Sequence, residues 1–355
     1  MTRFLKSLSP GVWSLWVVTA VGCVPDATSP VDSDGTQSVT TDTDADTDTD
    51  TDTDTSTTTT TSLEAYDCAT LPATPLGFRT VPGARGYHDV GFDTEGYIFG
   101  ATSSFGADLI RVDFDGNAQV WVPNVQTIEQ FTWLPDGDLA VSSSSRGILR
   151  VAPNGGTSTI NGNIHPYGLI LGPDENLYAA DQDKLWRVDP NSGEATQLLA
   201  SGQLASGSPR VLNFNLDYTK LYLGTYGGSQ GRIYVMDVDA NLDPVSTPTV
   251  FASGVGTGAY HDTLGIDICG YLYVADYSTS AMYRISPSGE VQTLLQAQGL
   301  LASEYGHGMS WGTDEDGWLD DAIYVTQPYN GNTVMEVVIG VPSRHWEDGY
   351  AINLP

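Results

Sequence analysis

The sequence is poor in basic residues and lacks an apolar stretch long enough to cross a membrane. Its 355 residues include 14 Lys and Arg against 44 Asp and Glu, which gives a formal net charge of −30. A surface of this charge repels the phosphates of nucleic acids and anionic lipids, so neither is an expected partner. The apolar run at residues 11–22 is too short, because a membrane-spanning helix needs about 20 residues. The sequence also lacks a Walker motif, a dinucleotide-binding fingerprint and a paired-cysteine metal motif.

The N-terminal segment has the layout of an export signal. Arg3 and Lys6 precede the apolar run, and the run ends in small residues just before Cys23. This ending resembles a bacterial lipobox, in which the cysteine is lipidated and becomes the mature N-terminus. We therefore predict a signal peptide over residues 1–22 and a lipid anchor on Cys23. The alternative is ordinary signal cleavage nearby, which would release a free secreted protein.

The residue after the cysteine bears on which membrane is involved. Val24, and not Asp, follows Cys23. Under the sorting rules of well-studied lipoproteins this favours the outer membrane. We expect an exported monomer that is lipid-anchored to the cell envelope.

Residues 23–62 lack the apolar side chains that a folded core needs. From Thr41 to Thr61 nearly every residue is Asp, Thr or Ser, and Asp alternates between positions 42 and 54. Carboxylates repel one another and no apolar burial offsets the entropy of ordering, so the segment is predicted to be a disordered spacer. As a coil it would average about 35 Å from end to end, which suits a stalk. A calcium-binding tract is the alternative, but the segment lacks the Gly and terminal Glu of an EF-hand loop.

Cysteine is scarce, and the number of cysteines suggests one disulfide. With Cys23 lipidated, Cys68 and Cys269 remain from the chain's three cysteines. An oxidising compartment favours a disulfide between them, and two buried thiols are the alternative. The bond would close a loop of roughly 200 residues and stabilise the fold by about 4–5 kcal/mol in the chain-entropy model.

Residues 63–355 show no amphipathic helical pattern of any length, and short repeated strand patterns are found instead. Each of six units has an apolar strand with a central Ile or Leu, and a second apolar strand follows it. The six central residues are Ile98, Leu139, Leu177, Leu221, Leu272 and Ile323. Asp-Gly and similar turns separate strands rich in aromatic and β-branched residues. Four short strands in each unit, repeated in this way, are typical of propeller blades.

These units predict an all-β fold, a six-bladed β-propeller over residues 63–355. The sixth unit lacks a clear outermost strand, whereas Phe78–Val81 near the start of the domain resembles one. We therefore expect the N-terminal strand to complete the last blade. Closing the ring in this way removes the exposed sheet edges that an open sheet would present.

The third and fifth units resemble a known family. Residues 165–181 (HPYGLILGPDENLYAAD), 185–190 (LWRVDP) and 265–276 (GIDICGYLYVAD) carry the resemblance. They are similar to the repeat of the superfamily of gluconolactonase, luciferin-regenerating enzyme and senescence-marker protein, and to NHL repeats. The resemblance covers most of residues 77–340. It implies the propeller fold, whereas activity depends on the residues of the site.

Enzymes of that superfamily hold a divalent cation on the central axis, with a Glu, two Asn and an Asp where inner strands begin. The resemblance places six residues of this chain at those entrances, namely His88, Glu129, Tyr167, Arg210, Asp262 and His307. The family's Asp is kept as Asp262, whereas His88 stands in the place of the Glu. Tyr167 and Arg210 stand in the places of the two Asn. The departures put calcium-dependent lactonase chemistry in doubt.

Histidines gather at these entrances. His88, His165, His261 and His307 belong to four different units, and the tripeptide Tyr-His-Asp occurs twice, at residues 87–89 and at 260–262. Imidazoles beside carboxylates bind transition metals such as zinc, and they also serve as general bases. The alternative is that the histidines are a polar lining of a water-filled channel.

Two sets of candidate residues follow. The candidate ligands for one divalent metal ion in the central channel are His88, Glu129, Asp262 and His307. The candidate catalytic residues are His88, His261 and His307.

Two hypotheses of function remain open from the sequence. One is an envelope lipoprotein whose propeller binds a small molecule or a partner protein. The other is a metal-dependent hydrolase of the lactonase or esterase kind, or a lyase, with its site at the central channel. Convergent entrance residues favour the second hypothesis, and the incomplete family ligand set favours the first.

Overall fold

The computed structural model describes residues 66–103, 108–228, 230–257, 260–296, 306–329 and 331–344. The predicted signal peptide, Cys23 and the spacer lie outside the described residues. Within them the chain forms six antiparallel sheets of four strands each and a single 3₁₀ turn, Cys68–Thr70. In this described part no helix has the length and apolar character needed to cross a membrane.

Each blade is built mainly from consecutive strands, labelled here in chain order. The first strand is β1, Gly77–Thr80. Blades one to three comprise β2 Val90–Phe92, β3 Ile98–Ala101, β4 Leu109–Val112, β5 Ala118–Val122, β6 Ile128–Trp133, β7 Leu139–Ser143, β8 Gly147–Val151, β9 Thr157–Asn161, β10 Gly168–Leu171, β11 Leu177–Asp181, β12 Lys184–Val188 and β13 Ala195–Leu199. Blades four to six comprise β14 Ser208–Phe214, β15 Lys220–Tyr226, β16 Arg232–Asp237, β17 Thr249–Ser253, β18 His261–Ile266, β19 Leu272–Asp276, β20 Ala281–Ile285, β21 Val291–Leu295, β22 Met309–Trp311, β23 Ala322–Gln327 and β24 Thr333–Val338.

The predicted six-bladed propeller is confirmed, and so is its closure. All six marker residues lie in the second strand of a blade. The last sheet has the order β1-β24-β23-β22, so the N-terminal strand supplies its outermost strand. Arg79 of β1 donates to both carboxylate oxygens of Glu336 on β24, over 2.7 and 2.6 Å. Tyr324 on β23 donates to the same carboxylate over 2.7 Å, so side chains of three strands reinforce the closure.

The hydrophobic core is a ring of six clusters, and each cluster lies between two neighbouring blades. This arrangement follows from strands whose two faces are both apolar, since each sheet is covered on both sides. The cluster between blades six and one contains Trp318, which is fully buried and donates from its indole to the carbonyl of Gly96. Phe92 packs edge-on against this indole at 5.4 Å between ring centroids. Blade six is therefore joined to blade one by a shared apolar cluster and by a side-chain hydrogen bond.

The predicted disulfide is confirmed between Cys68 and Cys269. Cys269 lies in the turn between β18 and β19, and Cys68 begins the 3₁₀ turn before β1. Tyr66 and Leu71, on either side of Cys68, pack against the core cluster between blades five and six. The bond thus fixes the segment before β1 to the fifth blade, while β1 itself pairs with the sixth.

Replacing both cysteines, Cys68→Ser with Cys269→Ser, is expected to lower the free energy of unfolding by about 2–5 kcal/mol, because the unfolded chain gains conformational freedom. Denaturant unfolding under non-reducing conditions measures the difference. Reducing the wild type before the titration should give the same loss. Equal stability of oxidised wild type and double variant would show that β1 needs no such tether.

Candidate functional site

Six residues at or just before the beginnings of the inner strands converge at one end of the central channel. The strands nearest the axis are β2, β6, β10, β14, β18 and β22, each the innermost member of its sheet. The residues at their beginnings form what is called the mouth here, namely His88, Glu129, Tyr167, Arg210, Asp262 and His307. All six positions expected from the sequence therefore meet in one place.

Three of the mouth residues lie in β-bulges. Strand pairing slips around Glu129 in β6, at Arg210 in β14 and at Asp262 in β18. A bulge adds a residue that the partner strand does not match, and it turns that side chain out of the regular alternation. The bulges therefore direct these side chains to the mouth while the rest of each strand keeps its apolar faces between blades.

Asp262 is the centre of the mouth. Its carboxylate is fully buried, and its two oxygens have different neighbours. Oδ1 accepts from Nε of Arg210 over 2.6 Å, and Oδ2 lies 3.0 Å from Nδ1 of His307. Burial raises the pKa of the Asp262 carboxyl to about 6, although Arg210 and His88 oppose the shift. Asp262 is therefore an anion at neutral pH that carries the interaction with both neighbours.

The guanidinium of Arg210 is held between aromatic rings. Its central carbon lies 3.5 Å from the ring centre of Tyr167 and 4.8 Å from that of Tyr226. A desolvated cation–π contact of this kind contributes about 2 kcal/mol. Burial tends to lower the pKa of Arg210, but Tyr167 and Asp262 outweigh it and raise the pKa. The cation is thus permanent and fixed at the mouth.

His307 is buried and has an open ring nitrogen. Nδ1 faces Asp262 as a close polar contact that lacks the alignment of a good hydrogen bond, and Nε2 is buried without a hydrogen-bond partner. Burial, reinforced by His88 and Arg210, lowers the pKa of His307 well below its ordinary value. At neutral pH the imidazole is therefore uncharged, and a nitrogen lone pair is available to a bound molecule.

A second histidine–carboxylate pair lies beside the first. Nδ1 of His88 lies 2.6 Å from Oε2 of Glu129, again without ideal alignment. Burial alone would raise the pKa of Glu129, but the contact with His88 outweighs it and the net shift is downward. The rings of His88 and His307 are 5.1 Å apart between centroids. Two imidazoles, each with its own carboxylate, thus share one small space.

Tyrosines surround these pairs and form a collar, defined here as Tyr87, Tyr226, Tyr260, Tyr277 and Tyr329. Adjacent ring centroids are 4.8 Å apart for Tyr226 and Tyr260, 4.7 Å for Tyr260 and Tyr277, 5.4 Å for Tyr277 and His307, 5.7 Å for His307 and Tyr329, and 6.2 Å for Tyr329 and Tyr87. Tyr226 and Tyr329 expose 45% and 55% of their surfaces. The outer rim is therefore aromatic and accessible, whereas the histidines lie below it.

One candidate catalytic residue is placed elsewhere. His261 is fully buried between blades, where Nδ1 accepts from the backbone of Thr225 over 2.9 Å and Nε2 lies 2.8 Å from the carbonyl of Val255. Burial lowers its pKa, so it stays neutral. Both ring nitrogens are engaged in joining the fourth blade to the fifth. His261 therefore has no nitrogen to offer a substrate, and it serves the fold.

The two Tyr-His-Asp tripeptides present different residues to the mouth, the second residue in one and the third in the other. In the first, His88 faces the mouth and Asp89 lies beneath it; in the fifth blade, His261 is buried and Asp262 faces the mouth. Asp89 is buried and accepts only from the backbone of Val90 and Phe131, over 3.0 and 3.2 Å. Burial raises its pKa to about 8, so it holds its proton at neutral pH.

The mouth does not form a ready-made metal site. Among the described residues no cluster of three or more His, Cys, Asp or Glu side chains has a metal-binding arrangement. Both oxygens of Asp262 already face Arg210 and His307, and Oε2 of Glu129 faces His88. The guanidinium also brings a positive charge to the position where a cation would need ligands. The four candidate metal ligands meet, but they pair with one another.

No family model and no curated protein matches the chain, whereas many solved structures do. A gluconolactonase from Xanthomonas campestris is 16% identical, with a TM-score of 0.61 over 76% of this chain and 92% of that one. The calcium-binding protein regucalcin from Agrobacterium tumefaciens is 15% identical, with a TM-score of 0.58 over 76% and 96%. A luciferin-regenerating enzyme is 17% identical, with a TM-score of 0.59 over 75% and 97%.

The chain has the fold of the lactonase-like propellers. At these identities the likeness concerns the fold, and it confirms the structural part of the resemblance drawn from the third and fifth units. The lactonase-like propeller fold brings the six entrance residues together, while their identities decide the chemistry of this chain.

Asp89→Asn is expected to change how stability depends on pH. The unfolded chain ionises this carboxyl near pH 4, whereas the folded protein keeps the proton to about pH 8. Over that interval rising pH destabilises the wild type, by up to about 1.4 kcal/mol per pH unit, and asparagine does not titrate. The free energy of unfolding of the variant, measured in urea, should therefore gain on the wild type as pH rises and level off above pH 8. An exposed control, Asp115→Asn, should show no such trend, and a flat difference for Asp89→Asn would contradict the buried neutral acid.

Proposed function

We propose that the mouth is the active site of a hydrolase or lyase that works by acid–base catalysis. The observation that carries the proposal is His307, whose Nε2 is buried and unpartnered while its Nδ1 faces a buried carboxylate. A catalytic base needs a lone pair, a neutral state at working pH and a group that stabilises the cation it becomes. His307 and Asp262 together meet these three requirements.

The neighbouring side chains complete the chemistry. His307 takes a proton, from water in a hydrolase or from the substrate in a lyase, and Asp262 stabilises the resulting imidazolium. Arg210 is fixed 2.6 Å from the same carboxylate, and its guanidinium N–H groups are suited to the negative charge that develops on a carbonyl oxygen. The pair of His88 and Glu129 supplies a second proton-transfer group across the mouth.

The collar points to the kind of substrate. Exposed tyrosine faces bind flat or cyclic groups through their apolar surfaces, and their hydroxyl groups add hydrogen bonds. The gluconolactonase that shares the fold acts, by its name, on a lactone. We take small cyclic esters and related carbonyl compounds as the first class to test.

A metal-dependent version of this activity remains the alternative. Regucalcin, which shares the fold, is a calcium-binding protein, and His88, Glu129, Asp262 and His307 are the four residues that would have to hold an ion here. Binding would require Asp262 to turn from Arg210 and His307, and Glu129 to turn from His88. The existing pairs favour chemistry carried by the side chains.

His307→Ala is expected to lower kcat/KM for hydrolysis of an aryl acetate or a six-membered lactone by about 100-fold or more, the usual contribution of a general base. The matched control is His165→Ala, which removes a partly buried histidine that precedes β10 and is not one of the six mouth residues. Equal rates in wild type and His307→Ala, with hydrolysis present, would place the chemistry elsewhere.

Elemental analysis of the purified protein separates the two versions. Activity without a stoichiometric metal, and unchanged by a chelator, supports the side-chain mechanism. One bound ion that is lost in a His88→Ala, His307→Ala double variant, together with chelator-sensitive activity, supports the metal site.

Ligand capture is a second candidate, and the exposed rim favours it. Tyr226 and Tyr329 present aromatic surface to solvent directly above a fixed cation and anion. Such a rim would retain a small molecule, or the tip of an envelope protein, even where no reaction followed. Binding of a lactone without turnover would distinguish this function from catalysis.

The location proposed for either function is the cell envelope, with the protein exported and anchored through Cys23. The export signal predicted before Cys23 supports it, and so does the disulfide between Cys68 and Cys269, since disulfides persist in oxidising compartments. Val24 favours the outer membrane. The Asp/Thr-rich spacer would then lift the propeller from the lipid surface.

Cys23→Ser is expected to abolish lipidation of the full-length chain in a Gram-negative host. Wild type should incorporate labelled palmitate and sediment with membranes, whereas the variant should be unlabelled. Cys68→Ser is the matched control and should keep the label, because it removes a different cysteine. An unlabelled, soluble wild type with a cleaved signal would indicate the free secreted form.

A further inference from the structure

Below the mouth the channel widens into a cavity, called the lower channel here. Its volume is about 350 Å³, and it extends from the first residues of the inner strands to the loops beyond their far ends. None of the six mouth residues lines it. Small-molecule sites usually begin at about 300 Å³. The lower channel is therefore large enough to be a binding site of its own.

The side chain of Gln130 lies at the boundary between the mouth and the lower channel. Gln130 belongs to blade two and directly follows Glu129 of the mouth. Its Nε2 donates to the carbonyl of Asp262 in blade five over 3.2 Å, and its Oε1 accepts from the backbone of Leu169 in blade three over 3.1 Å. The amide thus joins three blades across the channel and also lines the cavity. The lower channel is therefore bounded toward the mouth by a fixed side chain.

Much of the wall of the lower channel is aromatic. Six rings line it, namely Phe92, Phe99, Phe131, Trp133, Tyr218 and Trp311. The N–H of Trp133 is used by the carbonyl of Phe92 over 2.8 Å, and that of Trp311 by the carbonyl of Val341 over 3.0 Å, so both indoles offer carbon surface. Poorly ordered water against such a surface is displaced with a gain in affinity by an apolar group. The wall therefore favours a molecule with a flat apolar body.

A few polar groups in this wall have hydrogen-bonding capacity left over. Asn213 donates from Nδ2 to the carbonyl of Leu264 over 2.9 Å, and its Oδ1 is buried without a partner. Thr132 and the buried Thr263 line the same space, and their hydroxyl groups have no hydrogen bond to another described residue. The spare groups thus include one acceptor and two hydroxyl groups that can donate or accept. A hydroxyl group on a ligand matches both kinds.

The wall has no group that could pair with an anion. Among the described residues that line the lower channel there is no Lys, Arg or His. Burying an unpaired charge in an apolar site costs far more than burying a hydroxyl group that finds a hydrogen bond. Organic acids are therefore poor ligands for this space, and an uncharged molecule is favoured.

From these observations we propose that the lower channel binds a small uncharged aromatic alcohol, with its ring among the aromatic side chains and its hydroxyl group at Asn213. An apolar cavity of about 150 Å³ is enough for benzene, so one ring with a short hydroxylated side chain fits in this larger space. The site is separate from the mouth and does not depend on the function proposed for the mouth.

Three small probes test the proposal by calorimetric titration of the purified full chain. Benzyl alcohol should bind saturably to one site with a Kd of about 1 mM or below. Benzoate has the same ring and a negative charge, and it should bind about tenfold or more weakly. Glycerol has hydroxyl groups and no ring, and it should give no binding. Absence of benzyl alcohol binding would overturn the proposal, and so would equal binding of benzoate or of glycerol.

Variants place the site. Thr132→Trp fills the cavity and should abolish binding of benzyl alcohol, whereas Thr157→Trp, the same change at an exposed position of β9 in the same blade, should bind as wild type does. Undiminished binding in a folded Thr132→Trp would assign the alcohol to another place and refute the proposal. If Thr132→Trp does not fold, Thr313→Trp at the far end of the cavity takes its place.

The position of the hydroxyl group has its own variant. Asn213→Leu keeps the approximate size of the side chain and removes its amide, so the Kd of benzyl alcohol should rise about fivefold, the usual contribution of one hydrogen bond. An unchanged Kd would contradict the placement of the hydroxyl group at Asn213.

Discussion

Closure of the ring is the constraint on which the rest of the molecule depends. Each of the six core clusters lies between two blades, so no blade buries its apolar surface alone. The pairing of β1 with β24, reinforced by Arg79 and Glu336, completes the sixth blade and removes its free edge. The mouth exists because the six inner strands are then forced to begin around one axis. A side chain at the start of an inner strand has little freedom to be anywhere else.

Within the mouth, a single buried anion organises its neighbours. Contacts with Arg210 and His307 offset the desolvation of the buried Asp262 carboxylate. The same contacts fix both partners. The Arg210 guanidinium is held on the ring of Tyr167, and His307 keeps one ring nitrogen without a partner. Breaking such a buried arrangement by removing one partner leaves an uncompensated charge, which is far more costly than the arrangement is worth as a whole. The β-bulges at Glu129, Arg210 and Asp262 carry these charges without disturbing the apolar faces beside them.

The fold could be predicted from the sequence because the strand pattern of one blade recurs six times along the chain, and the repeats can be counted directly. The strands around Ile98, Leu139 and their counterparts, and the missing outer strand of the last blade, sufficed for six blades and for their closure. The entrance residues were also predictable by position. The sequence did not reveal which side chain of each Tyr-His-Asp tripeptide faces the mouth. The tripeptides at 87–89 and 260–262 are identical, but the second contains the β-bulge at Asp262, so there the Asp faces the mouth and not the His. The pairing of Arg210 with Asp262 and the tyrosine collar depend on side chains brought together from different blades, which no local pattern encodes.

The position of the disulfide has a consequence for the order of assembly. A chain is synthesised from its N-terminus, so β1 is available long before its partner β24. Cys269 belongs to the fifth blade, and the bond to Cys68 joins that blade to the segment just ahead of β1. It can therefore form while the final blade is still incomplete, and it holds β1 beside the gap that the last strands will fill. With the crosslink in place, β1 and β24 meet by a local docking step and not by a search across the whole chain. The unpaired strand edge is then exposed to other molecules for a shorter time.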